Sequence, residues 1–181
     1  MVRSFTLPTR RAALVGAVGF AILLLAAGCG SKGGPSDYEK MVQAKQGASD
    51  ALAAAGAKVQ EKQYPVGRGY VVELRGATIT DDLLRHVKEL GNIAELNLSQ
   101  STLTDDHLRT MHELGLHVLL NKLDLSHTAV TDAGLDHLDG NLFLVELNLT
   151  GTKVTRAAVE RFKQKRQADA RVRVKDTRVI L

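Results

Sequence analysis

The chain has 181 residues, one cysteine, no tryptophan and a formal net charge of +4. A single cysteine excludes an internal disulfide, so the fold must stand on its apolar core. The modest charge hides an asymmetry: residues 29–152 carry 11 Lys/Arg against 17 Asp/Glu, whereas residues 153–181 carry 10 against 3, a basic end behind an acidic body.

Residues 1–28 contain no acid, and Arg3, Arg10 and Arg11 precede a 17-residue apolar run, Ala12–Gly28. That run is short for a membrane span and has the three-part form of a secretory signal. It ends Leu25-Ala26-Ala27-Gly28-Cys29. This resembles the lipobox of bacterial lipoproteins, with Ala26 where that family usually has Leu. The resemblance implies that 1–28 is a lipoprotein signal peptide and that Cys29 becomes a lipidated first residue. The protein would then be exported and anchored to a membrane of the bacterial cell envelope. Gly30 points, by analogy, to the outer membrane or a periplasm-facing leaflet. An uncleaved anchor is the alternative, and Arg10-Arg11 leaves twin-arginine export open beside the general route. Residues 29–36, with Gly30, Gly33, Gly34 and Pro35, read as a flexible tether.

Residues 37–69 read as an N-terminal cap of helix and hairpin. Ser36-Asp37-Tyr38-Glu39 is a capping box. Tyr38, Met41, Val42, Ala48, Leu52 and Ala55 come next at helical spacing, which predicts one apolar face. Gly47 allows a division into two short helices, and Gly56 is a natural stop. Val59 falls in a short strand, Pro65–Gly69 in a turn, and Tyr70–Leu74 in the first repeat strand.

A pattern of strand, loop and helix recurs from there, starting at Val72, Leu96, Leu123 and Leu147, with a partial copy at Val172; the starts lie 24, 27, 24 and 25 residues apart. A period in this range predicts a solenoid, in which each unit buries its apolar side on its neighbours. The pairs Val72/Leu74, Leu96/Leu98, Leu123/Leu125, Leu147/Leu149 and Val172/Val174 put two side chains on one face of a short strand. A hydroxyl comes next at Ser101, Thr128, Thr152 and Thr177 (Ala77 in the first unit), placed to bond the loop backbone of adjacent turns. Thr80, Thr104, Thr131 and Thr155 are helix N-caps, and Asp81, Asp82, Asp105, Asp106 and Asp132 add negative charge to the first turns. Arg156 departs from that rule. The helices should bury Leu84, Val87 and Leu90; Leu108, Met111 and Leu114; Leu135 and Leu138; Val159 and Phe162.

These joints resemble the leucine-rich repeat family, in the Thr-Asp-x-x-Leu variant known from bacterial proteins and F-box proteins; no F-box precedes them here. The match covers residues 70–181. The resemblance implies an α/β fold: a short solenoid with a parallel β-sheet on its concave side and helices on its convex side, capped by 37–69. Three extra residues between Leu114 and Leu120 predict a bulge in the second return loop.

The concave face should carry two outward rows. One is Glu73, Asn97, Asp124, Asn148 and Arg173; the other is Val71, Glu95, Lys122, Glu146 and Arg171, with Gln100 and His127 at the edge. The second row alternates in sign, which can hold strand register at about 0.2–1 kcal/mol per pair or meet a protein partner. Five short strands offer roughly 300 Å², below the ~800 Å² per side of a standard interface, so a partner must also use the rims or ends. Arg161, Lys163, Lys165 and Arg166 form a basic patch that suits an anionic surface or a solvated end. Nucleic acid does not fit an exported protein without interleaved aromatics. His107, His112 and His117 lie five residues apart and do not share a helix face, so no metal or other cofactor is expected. Ser126-His127 does not form a triad and no phosphate loop exists. Recognition of a protein or an anionic polymer without catalysis is the expectation; a structural envelope lipoprotein whose basic C-terminal end contacts membrane or cell wall is the alternative.

Overall fold

In each of four successive units one leucine or valine pair is withdrawn from water. Val72 and Leu74, Leu96 and Leu98, Leu123 and Leu125, and Leu147 and Leu149 are each at most 2% exposed. Each such burial stabilises by about 1.5–3 kcal/mol. Between the members of each pair stand the half-exposed Glu73, Asn97, Asp124 and Asn148. This alternation places one face of every strand in the core and the other toward solvent.

The computed structural model describes residues 36–64 and 67–181. The signal, Cys29 and the tether as far as Pro35 lie outside the described residues. Residues 37–181 form one compact α/β unit. In chain order it comprises α1 (Asp37–Ala54), β1 (Lys58–Tyr64), β2 (Gly67–Glu73), α2 (Asp81–Leu90), β3 (Ile93–Asn97), α3 (Asp105–Glu113), β4 (Lys122–Asp124), α4 (Asp132–Asp136), β5 (Glu146–Asn148), α5 (Arg156–Ala168) and β6 (Arg178–Ile180). The six strands make one sheet in sequence order. β1 and β2 form an antiparallel hairpin, and every later pair is parallel. The helices neighbour one another in the same order.

Register is kept from unit to unit. Val72 pairs with Leu96, Leu96 with Leu123, and Leu123 with Leu147. The ladder continues past the strands: Leu74, Leu98 and Leu125 N–H donate to Asn97, Asp124 and Asn148 carbonyls at 2.7, 2.8 and 2.9 Å. Gly76, Gln100 and His127 N–H then donate to Ser99, Ser126 and Thr150 carbonyls at 2.8–2.9 Å. That turn needs a left-handed residue, supplied by Gly76 (φ 71°), Gln100 (57°), His127 (56°) and Gly151 (70°). Two of the four are not glycine, so they hold a conformation that is unfavourable for L-residues.

Three of the hydroxyl row work within their own unit, and Thr177 alone reaches back to the preceding unit, donating to the Leu144 carbonyl at 2.7 Å. Ser101, Thr128 and Thr152 donate to the Leu98, Leu125 and Leu149 carbonyls of their own turn at 2.6–2.7 Å. Other contact between units falls to Thr102, whose Oγ1 accepts from Ile79 N–H at 2.9 Å, and to the caps. Thr80 and Thr155 accept from Leu83 and Ala158 N–H, and Thr131 from Ala133 N–H. Thr104 N–H instead meets His107 Nδ1 at 3.1 Å.

Two expectations for the cap fail, although α1 is the one helix read there, continuous across Gly47. Its apolar face is buried only at Ala48 and Leu52; Tyr38, Met41 and Val42 are 70%, 49% and 46% exposed. Residues 37–47 are all exposed. Strand β2 also begins at Gly67, paired with Tyr64, inside the segment read as a turn.

The last repeat is the larger correction. Val172 and Val174 do not form a strand; Val179 takes the place beside Leu147, and Arg178 that beside Glu146. The cause is Arg166. Its buried guanidinium donates to Val174 O at 3.0 Å and Thr177 Oγ1 at 2.9 Å, which holds 174–177 against the end of α5, so pairing with β5 starts only at Arg178.

Candidate functional site

The solvent face of the sheet holds a shallow open hollow lined by Val71, Glu73, Glu95, Asn97, Lys122, Asp124, Glu146 and Asn148. These are the two rows expected from the repeat. In register, Glu95 lies beside Lys122 and Lys122 beside Glu146. Arg171 and Arg173 are not in these rows. Arg171 instead pairs with Asp169 at 2.8 Å and holds that carboxyl down to about 2, and Arg173 N–H binds Leu142 O. Arg178 fills the place given to Arg171 and pairs with Glu146 at 3.6 Å.

Most of this face is saturated by its own neighbours. Glu95 accepts from Lys62 Nζ at 3.0 Å and Tyr64 Oη at 2.7 Å. Burial pushes the Glu95 carboxyl up, but those two hydrogen bonds and the Lys122 and Lys62 charges outweigh it and hold it below the usual range. Tyr64 is pushed up to about 12 by burial and by Glu95. Asn97, Asp124 and Asn148 Oδ1 each accept the N–H two residues on, at 2.9–3.1 Å, closing the turn after the strand. Asn148 Nδ2 also donates to Asp124 Oδ2 at 3.2 Å. Glu73 sits 4.0 Å from Lys58, and Gln100 Oε1 accepts from Arg75 at 3.1 Å. His127 lies against Gly151, where a Cβ would strike its ring. Lys122 is exposed and forms no ion pair with the described residues.

The expected basic patch is neutralised within the fold. Lys165 bridges Asp136 and Asp139 at 2.8 and 3.0 Å, Arg161 faces Asp132 at 3.8 Å and Lys163 faces Glu160 at 3.9 Å. Arg166 is not on the surface at all: it is 3% exposed. Besides Val174 and Thr177 it donates to Asn141 O at 2.7 Å. Burial pushes its pKa down, yet a guanidinium stays charged. Sequence reasoning missed it because Arg161-Phe162-Lys163-Gln164-Lys165-Arg166 looks like a solvated helix face. The signal was positional: Arg166 is four residues after the core residue Phe162.

The histidines also converge more than spacing suggested. α3 ends at Glu113, and Gly115 (φ 67°) turns the chain back. His117 therefore leaves the helix and stacks on His112, with centroids 4.5 Å apart and planes 14° apart. Nearly parallel rings do not aim two nitrogens at one ion, and among the described residues no cluster of His, Cys, Asp or Glu is arranged for a metal. Nor is any described helix long and apolar enough to cross a membrane.

No protein-family model and no curated protein matches the chain. Its own surface chemistry therefore carries the functional reading.

Proposed function

We propose that the chain is a leucine-rich-repeat solenoid of the bacterial cell envelope, exported, anchored through lipidated Cys29, and used to recognise a protein partner without catalysis. In this reading 1–28 is the signal, 29–36 the tether, 37–69 the cap and 70–181 the repeat body. The observation that carries it is the register: equivalent residues of units starting at Val72, Leu96, Leu123 and Leu147 pair directly, and their outward side chains line one hollow. Lys122 is the group in that hollow left to answer an outside charge.

One observation favours a second reading, a structural envelope lipoprotein. Glu95, Asp124 and Glu146 each already meet a neighbouring strand or the hairpin. A basic end facing membrane or wall belongs to that reading, though Arg161, Lys163 and Lys165 all have acidic partners within the fold.

The readings separate on Lys122. A photoreactive residue at 122 should crosslink one protein in whole cells, with no product from position 109 on the exposed face of α3. Equal labelling from both positions, or none from 122, would favour the structural body. Mass spectrometry of the same material tests the anchor: a diacylglyceryl adduct on Cys29 is expected, and an unmodified thiol on a full-length chain contradicts it.

A further inference from the structure

The three extra residues of the second return loop place a titratable ring in the core. His117 is 4% exposed, and its Nδ1 has no hydrogen-bond partner among the described residues. Its ring lies 4.5 Å from that of His112. His112 Nδ1 is 2.9 Å from the His137 carbonyl, so that nitrogen holds a proton when His112 is neutral. The loop backbone is gripped by Asn141, whose Nδ2 donates to the His117 carbonyl and, at 3.1 Å, to the Leu120 carbonyl.

The charges around the pair do not welcome a proton. From α3 comes His112, whose ring is also 6.3 Å from that of His137 after α4. From α2, Lys88 Nζ reaches Gly115 at the base of the loop. Among the described residues the anion acting on His117 is Asp139, and it is already bridged at 3.0 Å by Lys165 of α5. Burial and then His112 hold the His117 imidazole below its usual range, outweighing the main-chain oxygens of Met111 and Asp139 and the Asp139 charge. An imidazole that stays neutral when buried and charges when released couples proton uptake to opening.

We propose that the stacked His112–His117 pair is a proton-triggered latch. Proton uptake expels His117, and the loop 115–120 leaves the edge of α3 and α4 while the sheet stays folded. Opening exposes Leu116, which is 4% exposed in the closed form. The sheet is spared because its register is carried by Leu96, Leu123 and Leu147, which pair strand to strand outside that loop.

Amide hydrogen exchange on the full chain tests this between about pH 7.5 and about pH 5.5, after correction for intrinsic rates. Protection of residues 116–120 should fall below about pH 6.5 by up to roughly tenfold per pH unit, the limit for one proton. Sheet amides at Leu96, Leu123 and Leu147 should change by less than about twofold. His117→Phe keeps a ring in the site without a proton acceptor and should flatten the loop's dependence. Should that variant fail to fold, His112→Gln, at an exposed position, should reduce the slope by removing the neighbouring charge. A loop whose protection ignores pH, a loop and sheet that open together, or an unchanged slope in these variants would overturn the latch.

Discussion

Asp105 accepts two hydrogen bonds from Thr131 of the next unit, from its N–H at 2.9 Å and its hydroxyl at 2.6 Å. Asp132 does the same to Thr155, at 2.6 and 2.8 Å. The Thr-Asp joint therefore serves two helices at once: the threonine begins its own helix, and the aspartate before it in the stack ties that threonine down. Asp105→Ala should cost about 1–3 kcal/mol in denaturant unfolding. Gly134→Ala should cost as much with both partners still in place in the sequence, because a Cβ there meets the Asp105 carboxylate and Leu108. In a double-mutant cycle, Asp105→Ala and Gly134→Ala should be strongly non-additive.

Tyr64 and Glu95 predict two pH limits. Glu95 is held below its usual range, so its contribution is complete above about pH 4.3 and is lost as pH falls through the folded value. Tyr64 is pushed up to about 12, so its contribution is complete below about pH 10 and lost between there and the folded value. Ultraviolet titration of tyrosinate should show one group ionising near the upper value. Glu95→Gln should bring that group back toward about 10 and remove the acid-side component.

Arg166 predicts a local failure. Its fork reaches Asn141, Leu144, Val174 and Thr177. Arg166→Met takes this donor from the Asn141 and Val174 carbonyls, while Thr177 keeps its bond to the Leu144 carbonyl, for a loss of about 3 kcal/mol. Exchange protection of residues 172–181 should vanish before that of β2–β4. Lysine should not rescue it, since one ammonium cannot span a planar four-point site.

Glycine substitutions should have opposite signs at two positions. Nothing lies within 4 Å of a Cβ at Gly47, in the middle of α1, so Gly47→Ala should stabilise by up to about 1 kcal/mol. Gly151 holds φ +70° and its Cβ would press on the His127 ring, so Gly151→Ala should destabilise by about 1–2 kcal/mol. Thermal unfolding of both variants checks the pair.

Much of the α/β order was legible because the information was repeated. Leu96, Leu123 and Leu147 each sit at the same offset from a threonine cap, and three copies of one spacing leave little freedom. Where the pattern lapsed, local reading failed. Val172-Arg173-Val174 has the right alternation for a strand, but a tertiary grip from Arg166 moves the strand to Arg178. Tyr38, Met41 and Val42 have helical spacing, yet helical spacing does not supply a neighbour to pack on. His112 and His117 were separated by assuming an unbroken helix, which Gly115 ends. On the sheet face, the rows from Glu73 to Asn148 were placed correctly, while the partners that saturate Glu95, Lys62 and Tyr64, come from a hairpin whose register no repeat specifies.

The sheet, the Thr-Asp joints and the proposed recognition face all depend on successive units lying directly on one another. Scalar couplings across hydrogen bonds measure that without a crystal. The account predicts couplings from Leu74, Leu98 and Leu125 N–H to the carbonyls of Asn97, Asp124 and Asn148, three equivalent links in three consecutive units. Couplings from these amides to other carbonyls, or fast exchange of all three with solvent, would contradict the stacked register and the proposed recognition face with it.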